Sequence, residues 1–224
     1  MAGEEKTLRA DAERNRRRLL EAAEALFGER GLDVGVGEIA QRAGVGRGTL
    51  FRNFASKEHL IAAIVAERMH HATARGLELL DADDPGEALF GFLDEIVGRQ
   101  QMDRALFESV GDIYLSNEEI RSAQNEVLGV LDQLLVRAQA AGAVRGDVGA
   151  LDVLMLVKGV CQAATAFQHL DADIAKRHLD LIRAALSAPP SAQPLRGRAP
   201  TLEDMDRALT PPAAHADAAE HASA

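Results

Sequence analysis

Residues 38–60 read Glu-Ile-Ala-Gln-Arg-Ala-Gly-Val-Gly-Arg-Gly-Thr-Leu-Phe-Arg-Asn-Phe-Ala-Ser-Lys-Glu-His-Leu. Ile39 and Leu50 lie in two short segments whose apolar residues have helical spacing, and Gly44 separates the two segments. Glycine readily adopts the positive φ that a sharp turn between two helices needs. Ser56 follows as a good N-cap for a third and longer helix. The stretch therefore predicts a helix-turn-helix, in which two short helices are joined by a glycine turn.

The second short helix is predicted to turn a polar, partly basic face toward solvent. The residues spaced to fill a small core beneath the two helices are Ile39, Val45, Leu50 and Phe54. The residues then left exposed on the second helix are Arg47, Gly48, Thr49, Phe51, Arg52 and Asn53. In a helix-turn-helix the N-terminal residues of this helix meet the base edges of DNA. We expect Arg47 and Thr49 to face bases, because arginine pairs with guanine and threonine can contact a thymine methyl group.

Two further basic positions are candidates for contacts to the DNA backbone. Lys57 begins the next helix, where a cation and free backbone N–H groups together favour a phosphate. Arg17 lies among the arginines at positions 14 and 16–18, which could follow the backbone from the first helix. Spacing alone leaves an alternative open, in which the short helices are ordinary core elements and the arginines form a solvated face.

The rest of the chain is also predicted to be helical. Apolar residues recur at helical spacing on both sides of a polar break at residues 81–86, and no convincing strand alternation occurs. The segment 151–167 is apolar on most sides, which is typical of a helix that is buried on two sides. The predicted helical segments are 11–30, 37–43, 47–54, 56–80, 89–97, 128–138, 151–167 and 173–186.

Charge is distributed unevenly along the 224 residues. Residues 1–57 carry 11 Lys/Arg and 9 Asp/Glu, whereas residues 58–224 carry 14 and 26, so a net charge of +2 precedes one of −12. The basic end is therefore the end that contains the helix-turn-helix. The single cysteine, Cys161, excludes an intramolecular disulfide, and no signal peptide or apolar run of membrane-spanning length is present. We expect a soluble, cytoplasmic protein.

The stretch from about residue 15 to residue 65 resembles the DNA-binding domain of the tetracycline-repressor (TetR) family of transcriptional regulators. The residues that carry the resemblance are Leu26-Phe27, Gly31, Glu38-Ile39-Ala40, Ala43-Gly44-Val45, Gly48-Thr49-Leu50-Phe51, Phe54 and Ser56-Lys57-Glu58. Phe51 stands where the family usually has tyrosine, whose hydroxyl would contact a phosphate. The resemblance implies an all-α fold, with an N-terminal three-helix helix-turn-helix domain followed by an α-helical ligand-binding and dimerisation domain.

The resemblance also gives expected domain boundaries. We expect a flexible arm at 1–10, the DNA-binding domain at 11–57, the ligand-binding and dimerisation domain at 58–188, and a disordered tail at 189–224. The tail is rich in proline and alanine and lacks periodicity. A homodimer that binds double-stranded DNA at a palindromic operator is implied, most often as a repressor that a small molecule releases.

The segments 151–167 and 173–187 offer the best dimer surface in the sequence. A single helix-turn-helix reads few bases, and two of them related by a twofold axis read a palindrome. An alternative is that both helices merely complete the core of a monomer. The expected interface residues are Leu151, Leu154, Met155, Lys158, Leu179, Ile182 and Leu186.

A small-molecule pocket is implied within the helices of residues 60–167. The candidate residues lie off the apolar stripes or have mixed polarity, and an apolar or aromatic effector fits them best. For each of them taken singly, the sequence favours the alternative of an ordinary core residue. They are Met69, Phe90, Met102, Phe107, Tyr114, Cys161, Gln162 and Thr165.

The sequence gives no support for catalysis, a cofactor or a metal site. Gly44-Val-Gly46-Arg-Gly48 follows a predicted helix and lacks the Lys-Ser/Thr ending of a phosphate-binding loop. His70 and His71 are adjacent, so they cannot face one metal ion from a helix. Two other functions stay open, a DNA-binding regulator without a small-molecule ligand and a ligand-binding protein whose DNA reading is weakened.

Overall fold

The computed structural model describes residues 2–102, 117–167, 173–187, 193–201 and 203–204. All the regular secondary structure within these residues is helical, which confirms the all-α prediction. No helix in these ranges is long and apolar enough to cross a lipid bilayer. In chain order the helices are α1 (Ala2–Arg30), α2 (Val36–Arg42), α3 (Arg47–Asn53), α4 (Lys57–Leu79), α5 (Pro85–Met102), α6 (Glu118–Ala140), α7 (Ala150–Phe167) and α8 (Ile174–Leu186).

Side-chain caps explain where the two longest interior helices begin. The Ser56 hydroxyl accepts a hydrogen bond from the His59 N–H at 3.3 Å at the start of α4. The Asn117 side chain accepts one from the Ile120 N–H at 3.1 Å at the start of α6. Each bond satisfies a backbone donor that has no partner within the first turn of its helix.

Helix α1 begins nine residues earlier than the sequence analysis predicts. It runs without a break from Ala2, so residues 2–10, expected to form a flexible arm, are helical. Alanine, glutamate, lysine, leucine and arginine have high helix propensity, and they make up most of this segment. A helix nucleated by packing farther along α1 can therefore extend through them, because propagation costs much less than nucleation.

Two apolar cores organise the described residues, and α4 connects them. The first core, which we call the head, joins α1, α2, α3 and the first two turns of α4 as far as Val65, and it includes Ile120 of α6. The second core, which we call the body, is formed by α5, α6, α7 and α8, with Leu79 and Leu80 at the end of α4 packed against it. The packing of the head thus continues past residue 57, where the sequence analysis divides the domains.

Part of the segment expected to be a disordered tail lies against the body. The backbone N–H of Leu195 donates to Asp147 at 2.9 Å, and Arg145 donates to the Gln193 carbonyl at 3.1 Å. The Arg145 guanidinium and the Leu195 N–H hold the pKa of the Asp147 carboxyl well below its usual range. Residues 193–201 are therefore tied to the loop between α6 and α7, and residues 205–224 lie outside the described residues.

Candidate nucleic-acid interface

The turn between α2 and α3 has the hydrogen bonds of a Schellman motif. Gly44 has a φ of 66°, its N–H donates to the Gln41 carbonyl at 3.1 Å, and the Val45 N–H donates to the Ala40 carbonyl at 3.0 Å. These bonds satisfy the last carbonyls of α2 and reverse the chain within two residues. Leu50 then enters the head core with no exposed surface, which fixes the face that α3 turns outward.

The outward face of α3 consists largely of residues that the sequence analysis assigns to DNA contact. Arg47, Gly48 and Arg52 are exposed, and half of the Phe51 side-chain surface is accessible. Thr49 and Asn53 are half-buried, and the Asn53 side-chain amide donates to the Thr49 carbonyl at 2.8 Å. This bond holds Asn53 along its own helix, so its amide nitrogen is less available to DNA than the residues on the exposed side.

The basic groups near the α2–α3 turn differ in whether a carboxylate neutralises them. Arg42 forms two hydrogen bonds to Glu29, at 2.8 and 3.1 Å, and they lower the pKa of that carboxyl. Among the residues whose side chains the structure describes, no carboxylate lies within ion-pair distance of Arg18, Arg47 or Arg52. These three guanidinium groups therefore give the turn a local positive charge on an acidic chain.

The neighbouring arginines 16, 17 and 18 of α1 have different contacts, although Arg16 and Arg17 line the same cleft. Arg18 lies beside the turn, since a Cβ atom on Gly44 would be 2.6 Å from its Nη2. Arg17, the expected backbone contact, lines a cleft of about 210 Å³ between α1, α4 and α6. Arg16 stacks over the Phe54 ring at 4.7 Å and pairs with Glu119 at 3.5 Å. Of these three arginines, Arg18 is the one that lies beside the α2–α3 turn.

Lys57 is held within the head rather than extended from it. Its ammonium donates to the carbonyl of Leu32 in the loop between α1 and α2, and it lies 5.9 Å from the centre of the Phe27 ring. The side chain is half-buried. This contact fastens the start of α4 to the α1–α2 loop, which differs from the phosphate contact expected from the position of Lys57 in the sequence.

The first turn of α6 is packed into the head, which joins the two cores directly. Ile120 has no exposed surface and belongs to the head core. The neighbouring Glu119 pairs with Arg16, and farther along α6 Glu126 contacts the His70 ring at 3.0 Å. Arg16 also covers Phe54 at the C-terminal end of α3. A movement of α6 would therefore disturb the contacts at the C-terminal end of α3.

The ligand candidates that the structure describes do not lie together in one site. Met69 packs against the head core, whereas Phe90 is buried in the body core beneath the Arg183 guanidinium, 4.7 Å from its ring. Cys161 is half-buried at the body core, and Gln162 is exposed. Phe107 and Tyr114 lie outside the described residues, as do the side chains of Met102 and Thr165.

The expected dimer residues fall into two groups. Leu151, Leu179, Ile182 and Leu186 pack inside the protomer's own body core, each with less than 9% of its surface exposed, and this changes the expected interface. On the outer side of α7, Leu154 is half-buried, Lys158 is exposed, and Met155 is 66% exposed. The large apolar side chains exposed on α7 and α8, which we call the apolar patch, are Met155, Leu156, Phe167 and Leu181. Leu156 and Leu181 were not among the expected residues, and each lies one position from an expected one, Met155 or Ile182, where spacing alone does not separate buried from exposed positions.

Two family models match the chain, and together they cover both cores. The model described as bacterial regulatory proteins of the tetR family matches residues 19–64, which span the end of α1 through the first turns of α4. The model for the C-terminal domain of SbtR-like transcriptional regulators matches residues 84–188, which span α5 to α8.

Individual proteins agree with these matches. The HTH-type transcriptional repressor KstR of Rhodococcus jostii is 31% identical over 137 residues, which are 60% of this chain and 64% of KstR, a little under two thirds of its length. The TetR transcription regulatory protein of Mycobacterium vanbaalenii has a crystal structure that is 34% identical and covers 81% of this chain and 99% of its own, with a TM-score of 0.60. The TetR regulator SCO0520 of Streptomyces coelicolor is 28% identical over 79% of this chain and 99% of its own, also with a TM-score of 0.60. The chain belongs to the TetR family of bacterial transcriptional regulators.

Proposed function

We propose that this protein is a homodimeric transcriptional repressor that binds a palindromic DNA operator. The observation that carries the proposal is the exposed face of α3 beside the glycine turn, where Arg18, Arg47 and Arg52 lack carboxylate neighbours among the described side chains. Thr49 and Phe51 lie on the same short helix and can contact base edges or a thymine methyl group. The acidic remainder of the chain disfavours DNA contact elsewhere.

Dimerisation supplies the second reading head that useful specificity needs. In the proposed dimer the apolar patch of α7 and α8 meets its own copy across a twofold axis, because each of its four side chains is 44% to 66% exposed in the protomer. Gly159 and Ala163 are exposed on the same helix, and small residues let two helices approach closely. Two heads about 34–36 Å apart then meet successive turns of the same DNA face.

A small-molecule effector in the body would regulate the protein by shifting populations. We expect this effector to be an apolar or aromatic molecule that contacts Phe90 and Cys161 at the body core. The other candidates lie on the same segments of the chain or between them, and they are Met102, Phe107, Tyr114 and Thr165. Such a ligand acts only through its different affinity for the DNA-competent and incompetent states. The contact of α6 with Arg16 and with the head core offers a physical route to α3. A regulator that lacks an effector is the alternative.

The proposal gives the chain a regulatory role without catalysis and places it in the cytoplasm, where bacterial chromosomal DNA is. Support comes from the family to which the chain belongs. Within the described residues, no group of three His, Cys, Asp or Glu side chains is arranged to hold a metal ion.

The proposal can be tested by fluorescence anisotropy with DNA from upstream of the protein's own gene. We expect the wild-type chain to bind a specific site in that DNA, and Arg47→Ala and Thr49→Ala each to weaken the binding about tenfold or more. Arg99→Ala, which removes an exposed arginine of α5, is the matched control and should bind like the wild type. If the wild-type protein prefers no sequence in this DNA or in a random library, the proposal is wrong.

A further inference from the structure

The guanidinium of Arg47, the first residue of α3, rests on Gly37, the second residue of α2. We propose that Gly37 is a positioning residue that seats Arg47 at the junction of α2 and α3, so that Arg47 grips the DNA backbone instead of reading a base edge. This inference deepens the proposed function and rests on it. It also changes the role that position alone suggests for Arg47, since the start of a recognition helix usually faces bases.

A side chain at position 37 would collide with the Arg47 guanidinium as it lies in the structure. A Cβ atom there would lie 2.7 Å from Nε and 2.8 Å from Cζ of Arg47, and closer still to Nη2. Carbon and nitrogen atoms that are not bonded do not approach so closely, so a methyl group would displace the guanidinium. Arg47 reaches this position because Gly37 presents only its backbone.

No backbone requirement accounts for the glycine at position 37. Among the described residues the glycines with positive φ are Gly31, Gly44, Gly142 and Gly197, and Gly37 is not one of them. Within a helix, glycine is less favourable than alanine. The space that Gly37 leaves is occupied by Arg47, whereas Cβ atoms on Gly46 or Gly48 would meet nothing within 4 Å. The close approach of the Arg47 guanidinium is thus the local feature that sets Gly37 apart from Gly46 and Gly48.

The position of the Arg47 guanidinium favours contact with a DNA phosphate over contact with a base edge. In a helix-turn-helix the first helix crosses the DNA backbone while the second enters the major groove. A guanidinium drawn onto the first turn of α2 lies on the helix that meets the backbone. Arg47 is exposed, and no carboxylate among the described side chains is within ion-pair distance of it, so its charge is free for a phosphate oxygen. Thr49, the other residue expected to face bases, is left to contact them.

The test measures binding to the palindrome selected from random DNA, and to single-base-pair variants of it, at several salt concentrations. Because a phosphate contact adds about one to the slope of log Kd against log salt, we expect Arg47→Ala to lower that slope by about one. Its affinity should fall about tenfold on every duplex, so that the order of base preference is unchanged. Relaxed preference at one base pair, with an unchanged salt slope, would show that Arg47 reads a base and would overturn the inference.

The variant Gly37→Ala tests whether Gly37 positions the Arg47 guanidinium. The change should leave thermal unfolding intact, because only the end of a flexible side chain must move, and it should weaken binding about fivefold. In an Arg47→Ala background it should have less than a twofold effect, because the displaced group is already absent. Gly35→Ala is the matched control, since its Cβ would make only an ordinary 3.7 Å contact with Glu38, and its effect should be equal in both backgrounds.

The outcomes separate this inference from the proposed function. If the wild type binds specifically and Gly37→Ala binds equally well, or weakens binding equally with and without Arg47, Gly37 does not position Arg47. If the wild type binds no DNA specifically, the proposed function fails and this inference fails with it.

Discussion

Phe51 carries an exposed aromatic ring of the head, and in the proposed complex this ring contacts DNA. Phe27 and Phe54 are 3% exposed and pack in the head core, whereas Phe51 is 50% exposed on the outward face of α3. Phe51 lies one turn of helix after Arg47, both residues are exposed, and the para carbon of the phenylalanine ring carries no hydroxyl. A hydroxyl at that carbon is the group that the family usually provides at this position.

We predict that Phe51→Tyr tightens specific DNA binding by about 1 kcal/mol, roughly fivefold, because the new hydroxyl can donate to a phosphate oxygen. Phe51→Leu should weaken binding, since it removes the ring and adds no donor. Both variants should melt like the wild type, because the side chain is half exposed. Unchanged or weaker binding by Phe51→Tyr would mean that this face does not lie against the DNA backbone.

The thiol of Cys161 is protected by its surroundings. Burial raises its pKa from the ordinary value of 9.0 to about 11. Since the thiolate is the reactive form, we predict that iodoacetamide at pH 8 modifies the folded protein about 100-fold more slowly than the urea-unfolded chain. The folded state holds this proton more tightly than the unfolded chain does. The free energy of unfolding should therefore fall as the pH rises from about 9 to 11. Equal alkylation rates for the folded and unfolded chains would contradict this.

Most exposed residues of α3 are predictable from the sequence, but the direction of a long side chain is not. Once Leu50 faces the core, helical spacing places Gly48 and Arg52 on the far side of α3 and Phe51 on its flank, and all three are exposed. Arg47 lies three residues before Leu50, so spacing alone does not predict that it is exposed. Lys57 differs because its flexible stem reaches a carbonyl 25 residues earlier in the chain, a neighbour that only tertiary packing supplies. The same holds for the contact of Arg47 with Gly37, which joins two helices.

Among the helices, α6 has a role that its amphipathic pattern does not reveal. Leu128, Leu131 and Leu134 form the apolar stripe of its body half, and they pack as the spacing predicts. Ile120 lies at the other end of the same helix, and it enters the head core because α6 extends past the body. Residues 103–116, which precede α6 in the chain, have no distinctive pattern in the sequence.

Two truncations on α6 separate its two roles. Ile120→Ala and Leu131→Ala both remove buried apolar groups, and each should cost about 2–4 kcal/mol of unfolding free energy. We predict that Ile120→Ala raises amide hydrogen exchange in α1 and α3, while Leu131→Ala raises it mainly in α5 and α7. The same exchange pattern in both variants would mean that the first turn of α6 is not an independent support of the head.

The contact between α1 and α6 depends on Arg16, whose position on α1 is partly predictable from the sequence. Arg16 lies three residues before Leu19 and seven before Ala23, both of which have no exposed surface, so helical spacing puts it on the buried side. Arg17 and Arg18 fall on other sides of α1. Arg16 is half-buried whereas Arg17 and Arg18 are exposed, but the partner Glu119 is more than 100 residues away and could not be predicted.

The complete molecule is proposed to be a dimer joined by the apolar patch. The sequence identifies α7 and α8 as the elements concerned, yet Leu179, Ile182 and Leu186 serve the protomer core and Leu156 and Leu181 lie outside. The pattern of a helix that is apolar on two sides does not show which side packs within its own protomer and which side packs against a partner. That choice depends on where α5 and α6 pack.

A charge placed in the apolar patch should separate the protomers. Because Met155 is 66% exposed, Met155→Glu should change the stability of the protomer by less than about 0.5 kcal/mol. In the dimer it would bury an unpaired carboxylate, so we predict at least a 100-fold weaker dimerisation constant by analytical ultracentrifugation. Leu77→Glu, at a position on α4 that is 49% exposed, is the control and should remain dimeric. The dimer surface is elsewhere if Met155→Glu sediments like the wild type.

The central proposal, two heads that read a palindrome, is tested most directly by selecting binding sites from random double-stranded DNA with the wild-type protein. We expect an inverted repeat whose half-site centres are about 10–10.5 base pairs or a multiple of that apart, bound by one dimer in sedimentation. A selection that enriches no sequence, or a single asymmetric site bound by one protomer, would contradict it.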